Sequence, residues 1–518
     1  MNDAAGRPPG WPGTALLSLA DKQGSADFAR ALAARGTAIL ASGGTARHLE
    51  QHGVPATPVE RLTGFAELLG GRVKTLHPHV HAPILARRAE PADLEALESR
   101  GLEPIDLVAV SLYPFEARAR ALDDAGAAEE IDIGGVALLR AAAKNHVDVI
   151  VVHDPSQYAE VLGALERGAA DRARRRLWAL SAFARTARYD AAIAAELARR
   201  AGDGDAPPVH VLALEHVRAL RYGENPHQEA ALYARLGRRA ALDAWKEGKE
   251  LSYNNLLDLE AAVRLAGRLE GPACVIVKHN QPCGAAVAST PARAYEAALR
   301  CDDLSAYGGI VAFNRTLDAE TARQVAQQYV ECVAAPGFAD GVADAFKSKK
   351  NLRLLRLAAE ELETPDPWQV RLVGPWGLLE RDRPGPPPPW KVVTRRAPTE
   401  EEWAGLRFAW EVAAAARSNA IALARGTALI GLGSGQTSRV DAVDVAVMKA
   451  RRAGHELAGA VAASDGFLPF ADTAEHAADA GVTAIVQPGG SVRDGEVIAA
   501  CDRRGVAMAF TDRRTFRH

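Results

Sequence analysis

Lys278 and His279 stand side by side in CVIVKHNQPCGAA, where an apolar run gives way to polar residues and turn formers. An imidazole titrates near neutral pH and can take a proton, and a fixed ammonium beside it can stabilise an oxyanion. A second group of chemistry-bearing residues lies near the start of the chain. In ILASGGTARHL, Ser42-Gly43-Gly44-Thr45 falls between a strand pattern and a helix pattern. Glycines there let backbone N–H groups approach a ligand, and a helix N-terminus adds partial positive charge, so the stretch has the ingredients of a phosphate site. It would serve equally as an ordinary capped helix start, because Ser and Thr are favoured N-caps. It is neither a Walker loop, which needs a following Lys-Ser/Thr, nor a G-x-G-x-x-G fingerprint. GGRVKTLHP adds Arg72, Lys74 and Thr75 within four residues, and LLRAAAKNH ends a helix pattern at Lys144, a cation that also suits the helix dipole.

The elements that must position these residues read as alternating strands and helices. TALLSLA and TAILA read as strands, with GSADFARALAARG and GTARHLEQHG as helices after them; PIDLVAVSLYPF and HVDVIVV continue the strand series. Such alternation predicts parallel strands with crossover helices. A long helix over DRARRRLWALSAFARTARYDAAIAAELARRAG follows, then the Gly/Pro-rich DGDAPPV, which marks a domain boundary. CVIVKHNQPCGAA itself reads as a buried strand ending in a turn at Pro282 and Gly284. RDRPGPPPPWKV is a stiff connection that splits the rest of the chain into two α/β subdomains near 380–392. Beyond it come the helix TEEEWAGLRFAWEVAAAARSNA and the strand and turn TALIGLGSGQTSRV. No exact internal repeat is visible.

Composition bounds the class. The 518 residues suffice for two to four domains, and 48% hydrophobic with 25% charged residues is ordinary globular usage. A formal net charge of −3 supplies no global field toward nucleic acid or anionic membrane. No apolar run approaches the ~18 residues of a membrane span, and the N-terminus has no signal-peptide pattern. Five scattered cysteines without CxxC or Cys/His spacing predict reduced thiols in a cytoplasmic protein with no metal site.

Taken in order, SGGTA, GRVKTLHP, LYPF, IDIGG and RAAAKNH resemble the inosinate cyclohydrolase domain of the bifunctional purine-biosynthesis family. LRYGENPHQ, LSYNN, VKHNQPCG, RSNAIALA, GQTSRV, SDGFLPF, QPGGS and FTDRRTFRH resemble its AICAR transformylase domain. The similarity runs from about Ala15 to His518. It implies an α/β protein, with a methylglyoxal-synthase-like parallel-sheet domain over 1–205 and two cytidine-deaminase-like α/β subdomains over 206–518. The implied activity is formyl transfer from 10-formyltetrahydrofolate to the 5-amino group of AICAR, followed by dehydrative closure of formyl-AICAR to IMP. The family is homodimeric and needs no catalytic metal, nucleic acid or membrane.

By the same resemblance Lys278, His279 and Asn419 form the transformylase centre. Arg221, Tyr222, Gly308, Glu331, Phe467 and Arg514 match AICAR contacts, and Arg439, Asp472, Gly490 and Ser491 match folate contacts. Lys144, Tyr113 and Asp132 match cyclase residues. Ser18, Lys22, Ser42, Gly44, Thr45, Arg72, Lys74 and Thr75 match the contacts to IMP and its phosphate. The chain departs from the pattern at Ala20, Ser111 and Pro83, where the family usually has Ser, Asn and Gly. Each lost hydrogen bond would cost about 0.5–1.5 kcal/mol, which predicts weaker binding with the cyclase retained. Two rival readings remain at this point. The N-terminal domain could sense nucleotide without catalysis, so that the chain is a transformylase only. A zinc deaminase is the other rival, although its H-x-E and P-C-x-x-C ligands are absent.

Overall fold

The computed structural model describes residues 7–202, 209–235, 244–246, 249–363, 368–382 and 386–518. Two units divide the chain, Met1–Leu214 with Arg235–Gly237 and Glu215–Ala234 with Arg238–His518. Most of the expected DGDAPPV boundary, 203–208, lies outside the described residues.

In the first unit the β-branched runs form a parallel sheet, as their alternation with helices requires. Its spatial order is Thr57–Pro58, Ala38–Ala41, Thr14–Leu19, Leu107–Ser111, Ile150–Val152. Leu16 pairs with Leu40 and Leu19 with Ser111, so the carboxyl ends of the three central strands lie together. Helices Ser25–Ala33, Gly43–Gln51 and Gly134–Lys144 and the 29-residue helix Arg172–Arg200 bury their apolar faces with Leu16, Leu17, Phe28 and Leu138 in one core. Each such side chain contributes roughly 1.5–3 kcal/mol through burial.

The second unit holds a 12-stranded sheet. One half runs outward from Gln281–Val287 through Ala273–Lys278, Ile310–Phe313 and Cys332–Ala335 to Arg353–Arg356. The other runs outward from Ala428–Gly433 through Ile421–Arg425, Ala460–Ser464 and Val482–Gln487 to Ala507–Phe510. Each half is an antiparallel hairpin followed by three parallel strands, and each is preceded by a 16-residue helix, Tyr253–Arg268 or Glu400–Ala415. The halves join antiparallel at Ala286↔Ala428 and share one apolar core. The two subdomains are therefore one topology used twice, in a single sheet. No residue pattern repeats with it, because the repeated quantity is strand order, with side chains that only need to be apolar; the resemblance alone implied two like subdomains.

CVIVKHNQPCGAA differs from expectation in its second half. The chain does not turn at Pro282 and Gly284. It turns at His279 and Asn280, both left-handed with φ 52° and 60°, and Gln281–Val287 continues as a strand with a bulge between Pro282 and Gly284. Gly284 is needed for packing: a Cβ there would run into the Ala298 carbonyl of the overlying helix.

Candidate active sites

In the first unit the SGGT stretch does open a helix. Ser42 is at the N-cap with extended backbone, but its hydroxyl makes no cap bond. It lies 3.3 Å from the Ser18 hydroxyl and 3.2 Å from that of Thr45. Thr45 is buried, and its Oγ1 accepts from the Leu19 N–H at 3.0 Å, so it ties the helix to the central strand. The N-terminal turn itself stays open. Gly43 and Gly44 line a cleft of about 390 Å³ with Arg47, Glu60, Phe65 and Glu67. Lys74 pairs with Glu67 at 2.9 Å on the rim, and Arg72 bonds Glu129 at 3.1 Å. Both pairs are solvent-exposed, and exposed ion pairs are weak enough for an anionic ligand to replace the carboxylate. Lys22 is half-buried beyond the carboxyl end of the central strand.

Around the same end of the sheet, the Asp132 carboxylate accepts from the Gly135 N–H at 2.7 Å and from the backbone of Tyr113. Burial raises its pKa above the usual carboxylate range despite those bonds. Thr75 is buried close to Gly134, whose missing Cβ leaves room for the Thr75 hydroxyl. The Tyr113 side chain is exposed nearby. Lys144 is placed differently. It ends the helix that Asp132 precedes, and 11 residues at ~1.5 Å rise put the two ends roughly 16 Å apart. That end lies toward the amino ends of the strands, so this unit does not bring Lys144 to Asp132 and Tyr113. At the three departures the polar groups present are paired within the unit. Ser111 Oγ accepts from the Asp21 N–H at 2.9 Å and donates to the Asp21 carbonyl at 3.1 Å; Ala20 donates to the Ser111 carbonyl; Pro83 sits inside a short helix, its carbonyl bonded by Ile105.

In the second unit candidate residues lie at one end of the inner strands of the sheet. Lys278 ends a strand whose neighbour begins at Ile310, with Gly308 just before it. Cys332 begins the next strand, with Glu331 just before it. In the other half Ile421 pairs with Gly433 and Ser464, which places Asn419 at the carboxyl ends of the parallel strands. Phe467 follows the end of Ala460–Ser464, and Gly490 and Ser491 follow the end of Val482–Gln487. Strand register therefore collects residues more than 200 positions apart in sequence.

Lys278 Nζ donates to the Tyr307 carbonyl, and a Cβ on Gly308 would lie 4.0 Å from that nitrogen. His279 is exposed at the hairpin tip. Its neighbours bind the second half: Arg517 donates to Asn280 Oδ1 at 3.0 Å, and the Arg417 N–H donates to Gln281 Oε1 at 3.0 Å. Asn419 Nδ2 donates to the Gln436 carbonyl at 3.0 Å. Glu331 accepts from Asn255 at 2.8 Å and pairs with Arg353. The Arg221 guanidinium stacks 5.1 Å over Tyr222, and their loop is tied to the helix Tyr253–Arg268 by Asn254, which donates to the Glu224 carbonyl at 3.2 Å.

Phe467 is 39% exposed and Arg514 packs 5.0 Å over Phe516. Asp472 bonds the Thr473 N–H, the Gly490 N–H donates to Asp494, and Ser491 Oγ accepts from Arg493. Arg439, expected beside a ligand, is buried. Its Nη1 donates to Asp465 at 2.6 Å and to Ser464 at 2.9 Å, which makes it an anchor beneath that end of the strands. Sequence reasoning overlooked Asn255, Asp258, Arg517 and Arg47. The polar pair Asn255 and Asp258, one turn apart on an otherwise apolar helix face, was the available signal. Among the described residues no group of three or more His, Cys, Asp or Glu is arranged to hold a metal, and no helix is long and apolar enough to cross a membrane.

An MGS-like α/β domain followed by a duplicated mixed sheet with a Lys-His hairpin tip defines a two-part enzyme. The MGS-like domain model matches residues 24–137, and the model for the AICARFT/IMPCHase bienzyme matches residues 142–449. The Chloroflexus aurantiacus "Bifunctional purine biosynthesis protein PurH" is 49% identical over 512 residues, 97% of this chain and 98% of that protein. Proteins of the same name from Persephonella marina and Myxococcus xanthus are 45% and 47% identical, over 97% of this chain and 99% and 100% of theirs. The chain belongs to the AICARFT/IMPCHase bienzyme family, whose two activities, AICAR transformylase and IMP cyclohydrolase, catalyse the last two steps of purine biosynthesis.

Proposed function

We propose that residues 206–518 carry the transfer from 10-formyltetrahydrofolate to AICAR, and that residues 1–205 close formyl-AICAR to IMP with loss of water. The observation that carries the reading is that Lys278, His279, Gly308, Glu331 and Asn419 lie at the same end of the sheet's inner strands. The 5-amino group of AICAR is conjugated with an electron-withdrawing ring and is a poor nucleophile. His279 takes its proton as the nitrogen attacks the formyl carbon, the Lys278 ammonium stabilises the oxyanion that forms, and collapse of that intermediate breaks the formyl carbon–N10 bond, the proton passing to N10 as tetrahydrofolate leaves. Asn419 holds the substrate against His279. Arg221 and Arg514 supply guanidinium forks for the ribotide. Tyr222 and Phe467 supply ring contacts, and Asp472, Gly490 and Ser491 hold the folate.

In the first unit the Gly43-Gly44 helix start, with Lys74 and Arg72 freed from their carboxylates, binds phosphate. Asp132 and Tyr113 stand at the same end of the sheet to act on the carboxamide and formyl groups. Ring closure is intramolecular, so holding the carboxamide nitrogen against the formyl carbon supplies much of the rate.

The working form is a cytoplasmic homodimer. Its support is the hairpin Gln369–Val373 with Trp376–Glu380, which exposes Val373, Trp376 and Leu378 on one face at 42%, 69% and 57%. A lone two-stranded hairpin is marginal in water, and a second protomer would cover that face.

A spectrophotometric assay of each half-reaction on the wild-type protein tests the reading. Transfer without ring closure would leave the first unit a nucleotide sensor. Absence of transfer would remove the central assignment.

A further inference from the structure

The helix Tyr253–Arg268 reaches three separate segments from its first turns. It opens with a capping box in which Ser252 accepts from the Asn255 N–H and Asn255 accepts from the Ser252 N–H. Asn254 then holds the loop after Tyr222, Asn255 holds Glu331, and Asp258 holds the turn that carries His279. The last of these is unusual. Asp258 Oδ2 accepts from the His279 N–H at 3.2 Å, and Oδ1 accepts from the Asn280 N–H at 2.5 Å. One carboxylate thus takes both N–H groups of a two-residue hairpin turn.

That turn needs help. Two-residue hairpins with positive φ at both positions favour Asn-Gly or Gly-Gly, because L side chains rarely adopt the left-handed region. Here the first position is a histidine and the second an asparagine, at φ 52° and 60°. Histidine stands there for its chemistry, and the conformation it disfavours is held from outside. Asp258 is suited to hold it: it is half-buried on a helix packed against both hairpin strands, and a carboxylate accepting two N–H groups makes strong, charge-assisted bonds.

We propose that Asp258 is a positioning residue for formyl transfer, which locks the His279-Asn280 turn so that the imidazole meets the AICAR amine. This rests on the assignment of His279 as the proton acceptor. Asp258 touches no reacting atom, so its loss acts on kcat through the aim of the imidazole and leaves ribotide affinity nearly intact.

The test is steady-state formyl transfer by the full chain with AICAR and 10-formyltetrahydrofolate. Asp258→Ala lowers kcat by about 100-fold, the scale of a catalytic group displaced by ~1 Å, with KM for AICAR changed by less than about threefold. Asp258→Asn keeps the shape and one acceptor oxygen; it falls between Asp258→Ala and wild type, and it stands in if Asp258→Ala is insoluble. Adding Asn280→Gly to Asp258→Ala recovers about tenfold of kcat, because glycine takes positive φ without outside support. Equal kcat for Asp258→Ala, or in its stead Asp258→Asn, and wild type overturns the proposal, as does a double variant no faster than Asp258→Ala. His279→Ala, run in parallel, separates the two levels. If it transfers formyl at the wild-type rate, the assignment of His279 fails. If it is inactive while Asp258→Ala matches wild type, only the positioning role fails.

Discussion

Removing either member of the buried Arg439–Asp465 pair should destabilise the second unit far more than its one ion pair suggests. The Asp465 side chain is fully buried and that of Arg439 is 7% exposed. Asp465 Oδ1 accepts from Arg439 and from the Ala420 N–H at 3.1 Å, and Oδ2 accepts from the Ser418 hydroxyl. Asp465→Ala therefore orphans a guanidinium, an amide and a hydroxyl together. A buried ion pair that loses one partner costs about 3–5 kcal/mol, because the remaining charge is left desolvated. Against a typical total of about 5–15 kcal/mol, this is a large fraction of the stability. Arg439→Met should cost a similar amount, whereas the double variant should cost less than the sum, because no charge is then left alone. Urea unfolding followed by fluorescence of the packed Trp390, Trp403 and Trp410 rings measures the cycle. A coupling of about 1–3 kcal/mol is expected, and additivity within about 0.5 kcal/mol would refute the reasoning. Because Ser418 and Ala420 flank Asn419, the single variants should also lose formyl transfer.

Gly284→Ala should cost about 1–3 kcal/mol in chemical denaturation, since its methyl meets the Ala298 carbonyl and the helix must move. Glu402 gives a pH-dependent prediction. Burial alone would raise its pKa, but bonds from Arg396, Thr483 and Thr399 bring it down to about 2. Its stabilisation is therefore present above the ordinary carboxylate range and lost as pH falls toward 2. Glu402→Gln should be less stable than wild type at pH 7, by at most about 3 kcal/mol, with the gap narrowing below roughly pH 4.5 in thermal melts. Glu411 has the opposite sign, because burial holds its pKa above the ordinary value. Glu411→Gln should match or exceed wild-type stability at pH 7, and that gain should vanish at acid pH.

The alternation of β-branched and Ala/Leu-rich runs was enough to read the parallel sheet of the first unit and most of its helices, since period and punctuation are local properties. The hairpin at His279 was misread because Pro282 and Gly284 are stronger turn formers than His-Asn. In the folded chain the His-Asn turn has both of its N–H groups bonded by Asp258, a tertiary contact that local sequence does not display. The duplicated topology left no repeated residue pattern, because strand order is fixed by long-range pairing such as Ala286↔Ala428, and only the family resemblance implied two like subdomains. Motifs placed Lys278, His279 and Asn419, but they could not show that Arg439 points inward to Asp465, or that one helix separates Lys144 from Asp132. Those outcomes depend on which end of an element a residue reaches.

The most direct measurement is formyl transfer and ring closure, each assayed separately, in His279→Ala and Asp132→Asn. The account predicts that His279→Ala loses transfer and still closes supplied formyl-AICAR, whereas Asp132→Asn transfers normally and closes the ring poorly. Wild-type transfer by His279→Ala, or loss of both steps in either variant, would contradict it.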